Sequence, residues 1–190
     1  MATPRSFDTR IMDHPGGYGL VSRFFHWLVV LLMLNQIVSA LARHWFDDTP
    51  FGDAMFSLHV PVGVTILIVT IARIAWALAN SAKRPAHGEG LEKLAGYGHG
   101  AIYALLVLVP TLAILRNYGS GRGWSIFGLQ IFDQTGAEIG WLTALGSAFH
   151  GELGYVLFAV IVGHAAMAII HDRILYQNIL ARMTTGRGQI

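Results

Sequence analysis

Two histidines, His150 and His164, lie fourteen residues apart in one apolar stretch that runs from Ser147 to Ile170. If the stretch is helical, fourteen steps of about 100° return to within about 40° of the same face, and a rise of about 1.5 Å per residue separates the imidazoles by roughly 21 Å. Neutral imidazole is a common metal ligand in proteins. One helix that carries two such ligands at two depths predicts two stacked cofactors.

The composition indicates the solvent around that helix. Of 190 residues, 54% are hydrophobic and only 13% are charged, whereas a soluble domain usually has about 25% charged residues. Four apolar stretches each approach the ~20 residues needed to cross a bilayer core, at about 20–42, 56–79, 98–115 and 147–170. We therefore predict an all-α membrane protein, one domain over residues 1–190, folded as a four-transmembrane-helix bundle.

Lysines and arginines are distributed unequally along such a bundle. If both termini and the linker between the second and third spans share a side, that side holds ten of these cations. The other side holds three, which are Arg43, Arg116 and Arg122. The positive-inside rule then places both termini in the cytoplasm.

Two further intramembrane histidines match the first two by depth. His26 lies near the cytoplasmic end of the first span and His59 near the outer end of the second. Because alternate spans run in opposite directions, His26 reaches the depth of His164, and His59 that of His150. Each pair can bind one haem iron from both sides, which favours electron transfer over oxygen binding. A structural network of hydrogen bonds between helices is the alternative, but it does not require this spacing.

The chain contains no cysteine. This excludes thiolate-held iron–sulfur clusters, covalent attachment of haem through a C-x-x-C-H motif, and disulfides. A redox cofactor must therefore be held by other side chains, and the nine histidines are the obvious candidates.

Three residues are candidates for supporting roles at the inner depth. Arg73 follows His59 by fourteen residues, so on a helix it would bind the carboxylates of an inner haem or extend to the lipid headgroups. His99 opens the third span, where it would contact a haem edge or a quinone. His171 follows His164 by seven residues, shares its helix face, and competes with it as the inner ligand.

Two glycine-rich stretches, GYGHG at 96–100 and GSGRG at 119–123, superficially resemble phosphate-binding loops. Neither follows a predicted strand within a βαβ unit, which argues against nucleotide binding. We expect turns at span boundaries instead. The sequence also shows no nucleic-acid motif, so we predict no nucleic-acid partner.

Several segments together resemble one family. They are RFFHW at 23–27, SLHVPVG at 57–63, YGHGAIYALLVLVP at 97–110, and FHGELGY and GHAAMAIIHD around the two histidines of the last span. These segments resemble the bacterial cytochrome b561 family of small di-haem membrane cytochromes, over roughly residues 19–183. The resemblance implies a bacterial inner (plasma) membrane protein with two haem b groups. It implies that His26 and His164 hold the cytoplasmic-side haem and that His59 and His150 hold the periplasmic-side haem.

The same resemblance implies an oxidoreductase linked to quinone. A member of the family is a superoxide oxidase that passes electrons from superoxide through its haems to ubiquinone, and superoxide:ubiquinone oxidoreductase is our leading prediction. The outer cations, Arg43, Arg116 and Arg122, would attract an anionic radical. Five outer carboxylates and Glu152 weaken that field.

Two other functions remain open from the sequence. A cytochrome b subunit would relay electrons between a partner dehydrogenase or hydrogenase and the quinone pool, and the acidic and aromatic outer loop 117–146 would bind a periplasmic electron-donor protein. A non-haem transporter or structural bundle would instead use intramembrane histidines to relay protons or substrate.

Overall fold

The computed structural model describes residues 8–84, 91–126 and 128–186, with the backbone alone for 91–94. The long helices are α1 (Leu20–Trp45), α3 (His59–Ala79), α4 (Leu91–Gly119) and α5 (Gly140–Arg173). The short helices are α2 (Pro50–Ser57) and α6 (Ile179–Thr184), and a 3-10 turn covers Ser81–Lys83. The strands are β1 (Arg122–Ile126) and β2 (Leu129–Gln134).

Four helical segments of the described chain are long and apolar enough to cross a membrane. Their small core contains one or two residues from each helix: Val29, Ile66, Leu106, Val109 and Leu157. Large apolar side chains such as Leu31 and Ile68 point away from it and are 65% and 63% exposed. Lipid is the environment that suits such a surface. The predicted four-helix membrane bundle is confirmed.

The helices extend beyond the predicted spans. The second apolar segment is a helix pair, α2 and α3, with Leu58 between them. The expected turn at residues 96–100 is wrong, because this stretch lies within α4. Glycine costs only about 1 kcal/mol relative to alanine inside a helix, and strong helix formers flank this stretch. Of the turn expected at 119–123, Ser120 and Gly121 lie between α4 and β1, while Gly119 ends α4 and β1 begins at Arg122.

The connection between α4 and α5 is a β-hairpin that the sequence analysis did not predict. We call this end of the bundle outer and the opposite end inner, after the orientation that the charges predict. β1 pairs antiparallel with β2, and Trp124 faces Phe132 across the two strands. Phe132 also contacts Tyr118 near the end of α4, with ring centres 5.1 Å apart. Gly121 has a φ of 64°, and a Cβ there would collide with the carbonyl oxygen of Ala137. These contacts fix the hairpin against the outer end of the bundle.

α5 packs closely on α4 at this outer end. A Cβ on Gly146 would lie 2.5 Å from Cβ of Arg116 and 2.6 Å from the carbonyl oxygen of Leu112, so the two helix backbones nearly touch. By contrast, the α5 backbone makes few close approaches to α1 or α3. The bundle is therefore tight between α4 and α5 and more open where α5 faces α1 and α3.

Polar contacts at the opposite, inner end of the bundle join the N-terminal segment to the helices. The buried Arg23 guanidinium donates to the carbonyl oxygens of Asp8 and Thr184, the latter at 2.8 Å. Asp13 accepts from the Ser22 hydroxyl at 2.9 Å and from Arg84 at 3.0 Å. Burial raises the pKa of the nearby Tyr18 hydroxyl, which therefore stays protonated. These bonds tie the N-terminal segment to α1, α6 and the residues after α3.

Candidate functional site

The structure brings His59 and His150 together at the outer depth, with their ring planes nearly perpendicular. Their ring centres are 6.3 Å apart. A ring nitrogen lies about 1 Å from the ring centre, and a histidine nitrogen lies about 2 Å from a bound first-row metal. Two imidazoles on opposite sides of one haem iron therefore have ring centres roughly 6 Å apart. The outer pair has the spacing of bis-histidine ligation.

The hydrogen bonds behind this pair also suit metal binding. The Ser39 hydroxyl donates its one proton to the Gln36 carbonyl oxygen at 2.9 Å, so it accepts from Nδ1–H of His59 at 3.0 Å. Nδ1 of His150 lies 2.9 Å from the carbonyl oxygen of Val109, which can only accept. Both imidazoles thus carry their proton on Nδ1. Each leaves the Nε2 lone pair free for iron.

A stack of side chains connects His59 with the outer surface. The Phe56 ring lies nearly parallel to the His59 ring, with centres 5.1 Å apart and an angle of 18°. The Arg43 guanidinium lies 5.5 Å from the centre of the Phe56 ring. It also bonds to Asp47 and Asp53, at 3.0 and 3.1 Å. Arg43, one of the three expected outer cations, is therefore neutralised by two carboxylates.

His26 and His164 form a second pair at the inner depth, with ring centres 6.5 Å apart. Behind His26 lies Arg73, whose Nη2 is 3.2 Å from the histidine Nδ1. A guanidinium can only donate, so the neutral His26 accepts at Nδ1 and carries its proton on Nε2. Iron ligation through Nε2 therefore requires the proton on Nδ1 and Arg73 turned away from that nitrogen. The spacing of the inner pair fits haem. The proton of His26 must first move from Nε2 to Nδ1.

Other predicted residues at the inner end have defined positions. His99 meets His164 edge to face, with ring centres 5.0 Å apart. Arg73 lies over the Tyr103 ring at 5.2 Å. Nδ1 of His171 lies 2.7 Å from the Gln177 side-chain oxygen. Of the two candidates, His164 is the one whose ring contacts His26 in the described part of the chain, which favours it over His171 as the inner ligand.

The glycines near the histidine pairs differ in the space around them. A Cβ built on Gly154 or Gly163 would meet nothing within 4 Å, whereas one on Gly63 would lie 2.9 Å from Nε2 of Gln36. The two open glycines lie on α5, the helix whose backbone stays apart from α1 and α3. A neighbouring group could therefore approach the α5 backbone closely at these two glycines.

The remaining predicted cations, Arg116 and Arg122, lie at the outer end of the bundle. Arg116 is in the last turn of α4 and Arg122 begins β1. Both are exposed. Within the described ranges neither forms a salt bridge, unlike Arg43. They are therefore the outer positive charges that remain available to an anion.

The sequence profile of prokaryotic cytochrome b561 matches residues 17–186 of this chain. The chain belongs to the prokaryotic cytochrome b561 family. As a cytochrome b561 protein, it is an integral membrane protein of electron transport. Membership also implies that it binds b-type haem.

Individual relatives share about a quarter of its residues. A protein named probable superoxide oxidase CybB, from Yersinia pestis, is 29% identical over 168 residues, or 87% of this cytochrome b561 chain and 94% of the relative. Cytochrome b561 homolog 2 of Escherichia coli is 25% identical, over 89% of this chain and 92% of its own length. Cytochrome b562 of Cereibacter sphaeroides is 25% identical, over 93% of this chain and its own full length.

Sequence reasoning missed several groups that contact the histidines, among them the Ser39 hydroxyl, the Phe56 ring and the Val109 carbonyl. A serine within an apolar span was a weak signal for the first, because a buried hydroxyl needs a partner. Nothing in the sequence marks the Val109 carbonyl as an acceptor, since every residue carries that group.

Proposed function

We propose that this protein holds two haem b groups, one on the periplasmic side and one on the cytoplasmic side. His59 and His150 would hold the outer haem, and His26 and His164 would hold the inner one. The observation that carries the proposal is the pair of ring-centre distances, 6.3 and 6.5 Å, at two depths of one bundle. The depths differ by roughly 21 Å along α5, at about 1.5 Å per residue.

The protein side chains prepare these sites for electron transfer. A haem with both axial positions filled supplies one-electron chemistry without an open position for oxygen. Ser39 and the Val109 carbonyl orient the outer imidazoles through their Nδ1 atoms. The apolar spans keep bulk water away from both pairs. Arg73, once turned away from Nδ1 of His26, would be able to bind the carboxylates of a haem held there.

The leading substrate assignment is superoxide outside and ubiquinone in the membrane. Two superoxide anions each lose one electron and become oxygen, while ubiquinone gains two electrons and two protons and becomes ubiquinol. Support comes from the relative named probable superoxide oxidase and from the unpaired outer cations Arg116 and Arg122. The protein then lies in the bacterial inner membrane with both termini in the cytoplasm, as the charge distribution predicts.

One observation favours a different electron donor, a protein in place of superoxide. The salt bridges of Arg43 to Asp47 and Asp53 remove one cation from the outer face and leave that edge, with Asp48, net negative. Arg43 at this edge contacts the Phe56 ring, which in turn stacks on His59. A periplasmic electron-donor protein with a basic surface would bind there, as in cytochrome b subunits that relay electrons between a dehydrogenase or hydrogenase and quinone. The transporter alternative is disfavoured by membership in an electron-transfer family.

A reduction assay separates the two donors. We expect superoxide alone to reduce the purified, haem-loaded protein, followed by reoxidation on addition of a ubiquinone analogue. The absorbance of reduced haem b reports both steps, and superoxide dismutase added beforehand should abolish the first. A fully loaded protein that superoxide does not reduce would contradict the superoxide assignment and favour the protein donor.

A further inference from the structure

The two rings of the outer histidine pair have a defined relative orientation. The His59 and His150 ring planes make an angle of 83°, so the two imidazoles are nearly perpendicular. Rotation about χ2 of a histidine has a broad energy profile, and rotamer preference alone therefore does not fix the plane of a ring. Contacts with neighbouring groups must fix it at each histidine.

The plane of His150 is fixed by α4. Nδ1 of His150 lies 2.9 Å from the carbonyl oxygen of Val109, and such a bond weakens steeply when the N–H turns away from its acceptor. One turn earlier, at Gly146, the α5 backbone packs directly on α4, where a Cβ would lie 2.6 Å from the carbonyl oxygen of Leu112. His150 is thus held between two closely packed helices.

The plane of His59 is fixed by the flat face of a phenyl ring. The Phe56 ring lies at 18° to the His59 ring, with ring centres 5.1 Å apart. Phe56 precedes His59 by three residues across the junction of α2 and α3, a spacing at which helical side chains are neighbours. The bond from Nδ1 to the Ser39 hydroxyl holds one ring atom but leaves rotation about its own N–H···O line free. The stacked phenyl ring resists that rotation.

Phe56 is itself held in place by charged neighbours. It is half-buried, and the Arg43 guanidinium lies 5.5 Å from the centre of its ring, within the range of a cation–π contact. Arg43 in turn bonds to Asp47 and Asp53, at 3.0 and 3.1 Å. The position of the phenyl ring therefore depends on α1 as well as on its own helix.

We propose that Phe56 is a positioning residue of the outer site, which keeps the His59 ring nearly perpendicular to the His150 ring when this pair holds haem. The inference rests on the proposed di-haem function and adds a residue that acts on it through His59. A ligand kept in one plane needs little rearrangement when the iron gains or loses an electron. Phe56 would thus favour rapid electron transfer at the outer site.

The test is electron paramagnetic resonance of the full-length, haem-loaded, oxidised protein. In ferric haem with two axial imidazoles, perpendicular rings give a signal dominated by one large g value, whereas parallel rings give three well-separated g values. His150→Ala, which should lack the outer haem, identifies the outer signal by its absence. We expect the wild-type outer signal to have the single large g value. Phe56→Leu, which removes the flat face, should lower that value, and Phe56→Tyr, which keeps the ring, should retain it.

Phe51→Leu is the matched control, because Phe51 lies in the same helix and its ring contacts Phe46. It should leave both haem signals unchanged. If Phe56→Leu loses the outer haem, Phe56→Met, which keeps bulk without a flat face, should show the same shift.

Three results would overturn the inference. They are a wild-type outer signal of the parallel type, a largest g value that is the same in the Phe56 variants as in the wild type, and loss of the outer haem from both Phe56→Leu and Phe56→Met. The last result would give Phe56 a role in binding and not in orientation. A wild-type protein without two haem components would instead overturn the proposed function itself, so the two failures are distinguishable.

Discussion

Replacing His59 or His150 with alanine should remove one and the same haem and leave the other bound. On the proposed assignment the two imidazoles hold a single iron between them, and their ring centres lie 6.3 Å apart. Haem content should therefore fall from two groups per chain to one in either variant. The double variant should also retain one haem, because the second loss removes nothing further. Haem extraction against protein concentration measures the content, and the spectrum identifies the remaining component.

The inner pair should behave in the same way and lose the complementary component. His26→Ala and His164→Ala should each spare the outer haem. His171→Ala is the matched control, since this histidine shares the helix face of His164 and bonds to Gln177, and it should keep both haems. Retention of the inner haem in His164→Ala together with its loss in His171→Ala would reverse the ligand assignment.

Reversing the charge of both free outer cations, Arg116→Glu with Arg122→Glu, should slow reduction by superoxide about tenfold or more. Electrostatic steering changes association rates by about 10–10³-fold and weakens as ionic strength rises. The wild-type rate should therefore fall with added salt, and the salt dependence of the variant should be flat or inverted. Stopped-flow absorbance of haem reduction at several salt concentrations measures both effects.

Lys83→Glu is the control for that experiment, because it makes the same charge reversal at the opposite end of the bundle. Its superoxide rate and haem content should equal those of the wild type. An unchanged rate in the double arginine variant, with both haems bound, would show that these cations do not guide the substrate.

The sequence was sufficient to predict the helices and the histidine pairs because both follow from simple periodicity. Membrane spans require about 20 apolar residues, and four such stretches give alternating directions and hence depths. With those directions known, His26 had to approach the depth of His164. No knowledge of side-chain conformation was needed for this step.

Features that depend on tertiary contact could not be predicted in this way. The outer hairpin is fixed by the contact of Phe132 with Tyr118 and Trp124, which joins residues on three elements. The bond between Ser39 and His59 joins two helices, and its significance depends on the direction of one hydroxyl proton. The helical course of residues 96–100 reflects the surrounding helix, which outweighs the local preference of three glycines.

The neutralisation of Arg43 is another feature that depends on tertiary contact. The sequence places Arg43, Asp47 and Asp53 on the outer side and predicts a weakened positive field there. Only the fold shows that one guanidinium binds both carboxylates, which leaves Arg116 and Arg122 as the relevant cations. Counting charges on one side therefore does not predict the local field, which depends on the ion pairs that the fold forms.

The central claim is that two facing histidine pairs hold two haems. It is tested most directly by the reduced-minus-oxidised absorbance spectrum of the purified protein, with haem quantified per polypeptide. The account predicts b-type spectra and two haems per chain. One haem per chain, or none, in protein purified from cells with ample haem would contradict it.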